Sequence, residues 1–193
     1  MRLFVALFPP ASAVADLQAR VETLNVGQAT AAGRDVGLDD PVRWHVTLAF
    51  LGELDEARLD EVEAALGKVA AAWPADHTGL LPLQVADGGR FNSGETTILW
   101  AGLHGDMGSL TDLVSKVDRS LRGAGLPATG RPFRPHLTLA RCGDRLSEDE
   151  VAADLADLHQ YAGPRWTVDE LVLVRSHLGE DKIYERLRSW PLR

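Results

Sequence analysis

A six-residue pattern occurs twice in the chain, as His45-Val46-Thr47-Leu48-Ala49-Phe50 and as His136-Leu137-Thr138-Leu139-Ala140-Arg141. Each copy lies in a short apolar run, which predicts a β-strand. Because side chains alternate between the two faces of a strand, each histidine shares a face with the threonine two residues later. Val46, Leu48 and Phe50 of the first copy, and Leu137 and Leu139 of the second, point to the opposite face, which we expect to be buried. The pattern therefore predicts two strands that each present an imidazole and a hydroxyl on one side.

The surroundings of the two copies predict two related halves of a single domain. The copies are 91 residues apart, and each is accompanied by further strands and by helices with an apolar stripe. We predict strands near 2–8, 42–51, 80–86, 96–103, 136–141, 166–175 and 182–190, and helices near 10–24, 55–73, 106–122 and 147–158. The predicted fold class is α+β. Residues 1–193 form one domain of two lobes, each a mostly antiparallel sheet with helices on its outer face, and the lobes face each other across a central cleft.

Four local features make these predictions more specific. Residues 25–40 are rich in Gly and Ala and are expected to form a loop, which is either a flap over a site or a plain linker. Pro74 is expected to end the second helix, because proline disfavours helical backbone in the residue before it. Residues 87–89 are expected to form a turn. Ser147 and Glu150 have the spacing of a capping box, which predicts the start of the fourth helix.

Composition limits the classes of protein to which the chain could belong. It is 45% hydrophobic and 25% charged, as is ordinary for globular domains, and it has no run of 18 apolar residues that would predict a membrane span. The apolar start of the chain is too short for a signal peptide, so we expect a cytoplasmic protein with no membrane partner. The single cysteine, Cys142, cannot form an internal disulfide and has no accompanying motif of a catalytic thiol.

Charge is unevenly distributed along the chain. The net charge of −8 argues against a protein that coats nucleic acid without specificity. Basic residues nevertheless gather near the two copies of the pattern, namely Arg43, Arg131, Arg134, Arg141 and Arg145. An acidic protein with a locally basic site suits a small enzyme that contacts a few phosphates. No apolar helix face is large enough to require a dimer, so we expect a monomer.

The residue types of the pattern suit acid–base chemistry at phosphorus. Histidine, with an ordinary pKa of about 6.5, can give or take a proton at neutral pH. One histidine could remove a proton from the attacking water while the other supplies one to the leaving oxygen. A threonine hydroxyl could donate to a phosphoryl oxygen and stabilise the charge that grows in the transition state. His45 and His136 are therefore candidate catalytic residues and Thr47 and Thr138 candidate phosphate-binding residues, although the residues alone do not distinguish acid from base.

A metal site is an alternative use of two histidines. No Asp, Glu or Cys has matching spacing on the two predicted strands, and threonine is a poor zinc ligand. We therefore expect neither a metal nor a cofactor. The remaining histidines, His77, His104, His159 and His177, are expected to be ordinary surface or core residues.

The chain resembles the 2H phosphoesterase superfamily, and specifically the bacterial and archaeal RNA 2′,3′-cyclic phosphodiesterases once described as 2′-5′ RNA ligases. The resemblance extends almost from end to end, through residues 2–6 with Pro9-Pro10, 44–53, 99–103 and 133–141, and then Ser176, Gly179 and Tyr184. The paired His-x-Thr motifs are specific to the superfamily. The segments that flank them indicate this branch.

The resemblance implies an enzyme that hydrolyses the 2′,3′-cyclic phosphate end of RNA to a 2′-phosphate end without a metal. Because water at high concentration favours hydrolysis, we expect the reverse 2′-5′ ligation only as a side reaction. It makes His45 the acid that protonates the leaving 3′ oxygen and His136 the base that accepts a proton from water. Thr47 and Thr138 would bind the phosphate.

Residues beside the motifs are candidates for RNA contacts. Arg134 and Arg141 could meet RNA phosphates, and Phe133 and Trp44 could stack on bases, although packing against the other lobe would explain both aromatic residues equally well. Two further hypotheses remain open at this stage. One is a cyclic phosphodiesterase for a small nucleotide or an ADP-ribose derivative, and the other is a non-catalytic protein that binds RNA ends.

Overall fold

The computed structural model describes residues 1–76, 80–93, 96–128, 132–143, 145–177 and 183–192. Its strands are β1 Arg2–Leu7, β2 Val46–Glu53, β3 Pro82–Ser93, β4 Thr96–Gly105, β5 His136–Arg141, β6 Ala162–Thr167, β7 Glu170–Ser176 and β8 Tyr184–Pro191. Its α-helices are α1 Ala11–Thr23, α2 Asn25–Ala31, α3 Leu59–Asp76, α4 Met107–Gly123 and α5 Glu148–Leu158. The expectations for His77, Arg131 and Gly179 concern residues outside the described ranges. None of the helices described is long and apolar enough to cross a membrane.

The strands form two antiparallel four-stranded sheets, as predicted. The first sheet has the order β2-β1-β7-β8 and the second the order β5-β4-β3-β6. Both strands that carry the repeated pattern are therefore edge strands, and β2 of the first sheet contacts β5 of the second. The two edges that meet bring the two copies of the pattern together at the centre of the molecule.

Helices cover the face of each sheet that is turned away from this junction. Helices α3 and α4 pack against each other, α3 contacts β8 and α4 contacts β2, so this pair covers the first sheet. Helices α1 and α5 contact β6 and β3 of the second sheet. Helix α1 directly follows β1 of the first sheet, yet it packs against the second sheet.

Alternation along β1 divides its apolar residues between two clusters. Leu3, Val5 and Leu7 belong to the main core beneath the helices. Phe4 and Ala6 point to the opposite face, where they form a smaller buried cluster with Val172 and Val174 of β7. The first sheet is therefore buried on both faces, and its inner face supplies an apolar floor for the junction of the lobes.

The prediction of a loop over residues 25–40 is wrong in its first half, where the chain forms α2. Val26 and Ala29 are buried, and the Asp154 carboxylate accepts the backbone N–H groups of Asn25 and Val26, at 2.6 and 3.0 Å. A seven-residue helix is too short to be stable alone, so its sequence carries little helical signal. Packing and a carboxylate 129 residues along the chain stabilise it instead.

Three predicted boundaries also differ from the structure. Pro74 lies inside α3 rather than at its end, in the last turn, and the helix continues to Asp76. Residues 87–89 do not turn the chain but form an irregularity within β3, with Asp87 at a φ of 64°. The predicted strand at 166–175 is divided into β6 and β7, which belong to different sheets. The capping box of Ser147 and Glu150 is confirmed at the start of α5.

Candidate active site

Both copies of the repeated pattern line one cavity of about 260 Å³ between the lobes. His45 immediately precedes β2 and His136 is the first residue of β5, so each imidazole lies at the start of an edge strand. Thr47 and Thr138 line the same cavity, whereas Val46 and Leu137 are fully buried on the opposite faces. The prediction that His and Thr share one face of their strand is thus confirmed in both lobes.

The two histidines are oriented by the same kind of hydrogen bond. Nδ1 of His45 lies 2.6 Å from the backbone oxygen of Arg43, and Nδ1 of His136 lies 2.6 Å from the backbone oxygen of Arg134. A carbonyl oxygen can only accept, so Nδ1 of each ring carries the hydrogen. Nε2 is therefore the nitrogen available for chemistry in both residues. At His45 it lies 3.1 Å from Oγ1 of Thr47.

Aromatic rings surround both imidazoles. The ring of His45 lies 4.8 Å from Phe4 and 5.3 Å, edge to face, from Tyr184. The ring of His136 lies 5.0 Å, edge to face, from Phe91, which stacks on Trp100. These rings exclude water from one side of each imidazole. The resulting desolvation is the largest cause of a lowered pKa at both His45 and His136.

Charged side chains line the rest of the cavity. Among the described lining residues, three are cationic, Arg2, Arg43 and Arg141, and one is anionic, Asp39. The nearby Arg141 guanidinium contributes to the lowering of the pKa of both histidines. An excess of positive charge around two imidazoles and two hydroxyls is suited to an anionic group such as a phosphate.

Arg141 was predicted near the second motif, whereas Asp39, Arg2 and Phe50 were not predicted to line the cavity. Arg2 and Phe50 are separated by 48 positions but lie together, with the Arg2 guanidinium 4.9 Å from the centre of the Phe50 ring. Asp39 belongs to the stretch that was predicted to be a loop. Arg2 and Phe50 lie in segments that carry the family resemblance, but only the pairing of β1 with β2 brings them together at the site, and Asp39 reaches it through the approach of the chain to β5.

A second, larger cavity of about 1130 Å³ adjoins the first and shares His136, Thr47, Phe50 and Arg2 with it. It extends between β2 and α4 towards Phe133 and Arg134. Phe133 is half-buried and Arg134 is exposed, and both line this second cavity.

Trp44 is not placed where it could stack on a base. Its side chain is only 2% exposed and belongs to the main core. The alternation that turns His45 towards the cavity turns its neighbour Trp44 away from it, so the hypothesis of an RNA contact by Trp44 is corrected.

The other described histidines lie outside the cavity lining. His159 pairs with Asp87 at 2.5 Å, His177 pairs with Glu185 at 2.8 Å, and His104 is exposed on β4. Across the described ranges, no three His, Cys, Asp or Glu side chains are grouped as a metal site would require. Cys142 is buried.

Solved structures with the same architecture cover essentially the whole chain. A Thermus thermophilus protein has a TM-score of 0.73 at 24% identity and covers 100% of this chain and 98% of its own. Escherichia coli LigT, solved in complex with 3′-AMP, has a TM-score of 0.72 at 21% identity and covers 99% and 97%. At these identities the likeness shows the fold alone, which this chain shares with both proteins.

Residues 9–180 match the sequence profile of the 2′-5′ RNA ligase superfamily, and the chain belongs to this superfamily. A Geobacillus stearothermophilus protein named RNA 2′,3′-cyclic phosphodiesterase is 29% identical over 154 residues, which are 77% of this chain and 45% of that protein. A protein of the same name from Archaeoglobus fulgidus is 31% identical over 105 residues, 53% of each chain. The chain thus spans about half the length of the curated relatives that it matches.

Proposed function

We propose that this protein hydrolyses the 2′,3′-cyclic phosphate end of RNA to a 2′-phosphate end by paired-histidine acid–base catalysis. The observation that carries the proposal is the matched orientation of two imidazoles in one cavity. Each donates Nδ1–H to a backbone carbonyl and keeps Nε2 for proton transfer, beside a threonine of the same strand. The names of the matched relatives supply the cyclic phosphate as the substrate class.

The reaction needs one proton acceptor and one proton donor on opposite sides of phosphorus. Nε2 of neutral His136 accepts a proton from water, and the water oxygen forms a new bond to phosphorus. The bond from phosphorus to the 3′ oxygen breaks, and Nε2–H of protonated His45 donates its proton to that oxygen. The products are a 2′-phosphate and a 3′-hydroxyl. The two histidines end with exchanged protonation states and return to the starting states through solvent.

Neutral and cationic donors at the cavity wall stabilise the phosphoryl oxygens. Thr47 and Thr138 each offer one hydroxyl, and Arg141 offers a guanidinium that can bind two oxygens. Such donors are more effective in a site partly shielded from water, because the effective dielectric constant is lower there. Phosphate binding and charge stabilisation need no further group in this scheme.

The adjoining cavity favours RNA over a small cyclic nucleotide as the substrate. Its volume of about 1130 Å³ exceeds what one nucleotide requires, and it opens directly from His136. Phe50, Phe91 and Phe133 line it and provide surfaces on which bases can stack. Arg2 and Arg134 provide positive charge for the sugar-phosphate backbone. The nucleotides that precede the cyclic end would lie there.

The test of the reaction is a short oligoribonucleotide ending in a 2′,3′-cyclic phosphate, incubated with the protein in EDTA. We expect a product with a 2′-phosphate, identified by its mass and by its sensitivity to phosphatase. Turnover that requires added zinc or manganese would contradict the proposed roles of the histidines. Binding of the cyclic end without turnover under either condition would indicate a non-catalytic RNA-end-binding protein.

The test of the RNA substrate compares a cyclic mononucleotide with an oligonucleotide of about six residues. If RNA is the substrate, we expect a higher kcat/KM for the oligonucleotide than for the mononucleotide. The kcat/KM for the oligonucleotide should also fall steeply as the salt concentration rises, since several phosphates are contacted. Arg134→Gln and Phe133→Leu should weaken the oligonucleotide preference and leave turnover of the mononucleotide unchanged. Equal kcat/KM values for both substrates in the wild-type protein would instead favour a small-molecule enzyme.

A further inference from the structure

Before it reaches the first motif, the chain runs alongside the strand that carries the second motif. Residues 37–39, which we call the strap, run beside β5 on the open edge of the second sheet. Arg141 N–H donates to the oxygen of Gly37 at 2.9 Å, Asp39 N–H donates to the oxygen of Leu139 at 2.7 Å, and Leu38 forms a β-bridge with Ala140. Four residues later the chain arrives at Arg43 and then at His45 in the first sheet. The strap is therefore hydrogen-bonded to the second sheet and leads directly to β2 of the first sheet.

The close approach of the strap to β5 depends on Gly37. Its φ is +68°, and a Cβ atom on this residue would lie 2.2 Å from the backbone oxygen of Arg141. No side chain fits there. The strap is thus held at a defined position relative to the end of the second motif.

The side chain of Asp39 links the residues that flank both motifs. Its Oδ2 accepts a hydrogen bond from Nη1 of Arg141, and its Oδ1 lies 3.5 Å from Nη2 of Arg43. Arg43 is the residue whose carbonyl oxygen accepts the Nδ1–H of His45. The carboxylate is 14% exposed, and it is the one acidic group in the described lining of the smaller cavity.

We propose that Asp39 is a positioning residue that orients Arg141 towards the substrate phosphate and, through its negative charge, assigns the acid role to His45 rather than to His136. The proposal rests on the hydrolysis proposed above. One oxygen of the carboxylate accepts from the guanidinium of Arg141 in the second motif, and the other lies near the side chain of Arg43, whose backbone oxygen orients the first imidazole. Asp39 makes no bond to substrate in this role.

The charges around His45 show why a carboxylate is needed there. The titratable and charged side chains that face its part of the cavity are Arg2 on β1, Asp39 on the strap, Arg43 before β2, His136 and Arg141 on β5, and Tyr184 on β8. Desolvation, His136 and Arg141 all lower the pKa of His45, which opposes the protonated state that an acid requires. The hydrogen bond to Arg43 and the charge of Asp39 raise that pKa.

His136 lies in a different electrostatic setting. Desolvation and Arg141 lower its pKa, and its hydrogen bond to Arg134 is what raises it. The negative charge of Asp39 is among the causes that raise the pKa of His45. In the proposal, this charge opposes the causes that lower the pKa of His45 and so favours its protonated state, although the two motifs have the same residue types.

The test uses Asp39→Asn, which keeps the size of the side chain and an acceptor oxygen but removes the charge. Asp35→Asn is the matched control, because it removes the same charge just before the strap from a carboxylate that is 89% exposed. Imidazole titrations followed by NMR in all three proteins give the pKa values without any substrate. We expect His45 to titrate at lower pH in Asp39→Asn than in the wild type, with a smaller change at His136 and none in Asp35→Asn.

The kinetic test follows kcat/KM against pH for the cyclic-phosphate oligonucleotide. In Asp39→Asn we expect the basic limb to move to lower pH and the maximum to fall by up to about 100-fold, the cost of a misoriented group. Asp39→Glu, which restores the charge, should return the basic limb towards its original position. A lower maximum of kcat/KM with both limbs of the pH profile unmoved would mean that Asp39 has a structural role only. An unchanged His45 titration in Asp39→Asn would overturn the proposal. If the wild-type protein has no turnover, the hydrolysis proposal fails while the NMR titration still decides the role of Asp39.

Discussion

Nε2 of His45 lies 3.1 Å from Oγ1 of Thr47, two residues along the same face of the chain. When His45 is neutral, the threonine hydroxyl can donate to this nitrogen. When His45 is protonated, Nε2–H can donate to Oγ1, which leaves the hydroxyl hydrogen free to bind a phosphoryl oxygen. The pair thus couples the protonation of the acid to the availability of a phosphate donor.

Replacing Thr47 by Val should lower kcat by roughly 100-fold, because one donor to the transition state is lost while the shape of the side chain is kept. Thr97→Val on β4 is the matched control, since this half-buried strand threonine lies outside both cavities. Steady-state kinetics on the cyclic-phosphate oligonucleotide provides the measurement. A kcat for Thr47→Val equal to that of the control would show that Thr47 is merely a residue suited to a strand.

His45→Ala and His136→Ala should each lower kcat/KM by about 10²–10⁴-fold, the usual contribution of a positioned acid or base. The double variant should be little worse than either single variant, because the two groups act in one step. His104→Ala, which removes an exposed imidazole outside the cavity lining, should keep the wild-type rate. Near-native rates in both single variants would remove the basis for the mechanism.

The pH profile of kcat/KM should be a bell with its maximum on the acid side of neutrality. His136 must be neutral and His45 protonated, so activity falls below the pKa of the base and above that of the acid. Burial lowers both pKa values from the ordinary value of about 6.5, which moves the active window to lower pH. A rate that rises steadily beyond pH 8 would be inconsistent with an imidazolium donor.

Asp154→Ala should destabilise the fold by about 3 kcal/mol, because the buried N–H groups at the start of α2 would lose their acceptor. Asp154 is 1% exposed and accepts from the backbone N–H groups of Asn25 and Val26 and from the Asn25 side-chain amide. Asp157→Ala, at an exposed position of the same helix, should change the free energy of unfolding little. Urea denaturation of the two variants measures the difference, and equal stabilities would mean that α2 does not depend on Asp154.

Cys142 should resist thiol reagents in the folded protein at neutral pH. Burial raises the pKa of its thiol to about 11, so the reactive thiolate is scarce, and the side chain has no exposed surface. Labelling should therefore proceed at the rate of unfolding, and the rate should rise sharply in denaturant. Fast labelling without denaturant would indicate that the end of β5 opens readily.

Much of the secondary structure could be predicted because its causes are local. The alternation around His45 and His136 sets which side chains share a face, and the capping box of Ser147 and Glu150 starts α5. The two-lobed antiparallel arrangement was also predictable, since an internal repeat of strands and helices has few compact solutions. The convergence of both His-x-Thr pairs on one cavity follows from the same repeat.

The chain by itself thus determined most strands, most helices and the four polar side chains of the motifs, because these depend on patterns within a few residues. Tertiary structure decided the rest. Helix α2 depends on Asp154, helix α1 crosses to the second sheet, Trp44 is buried in the core, and Asp39 reaches the cavity only because the strap pairs with β5. Each of these results from contacts between residues far apart in sequence, whose free energy appears only when the two lobes have assembled.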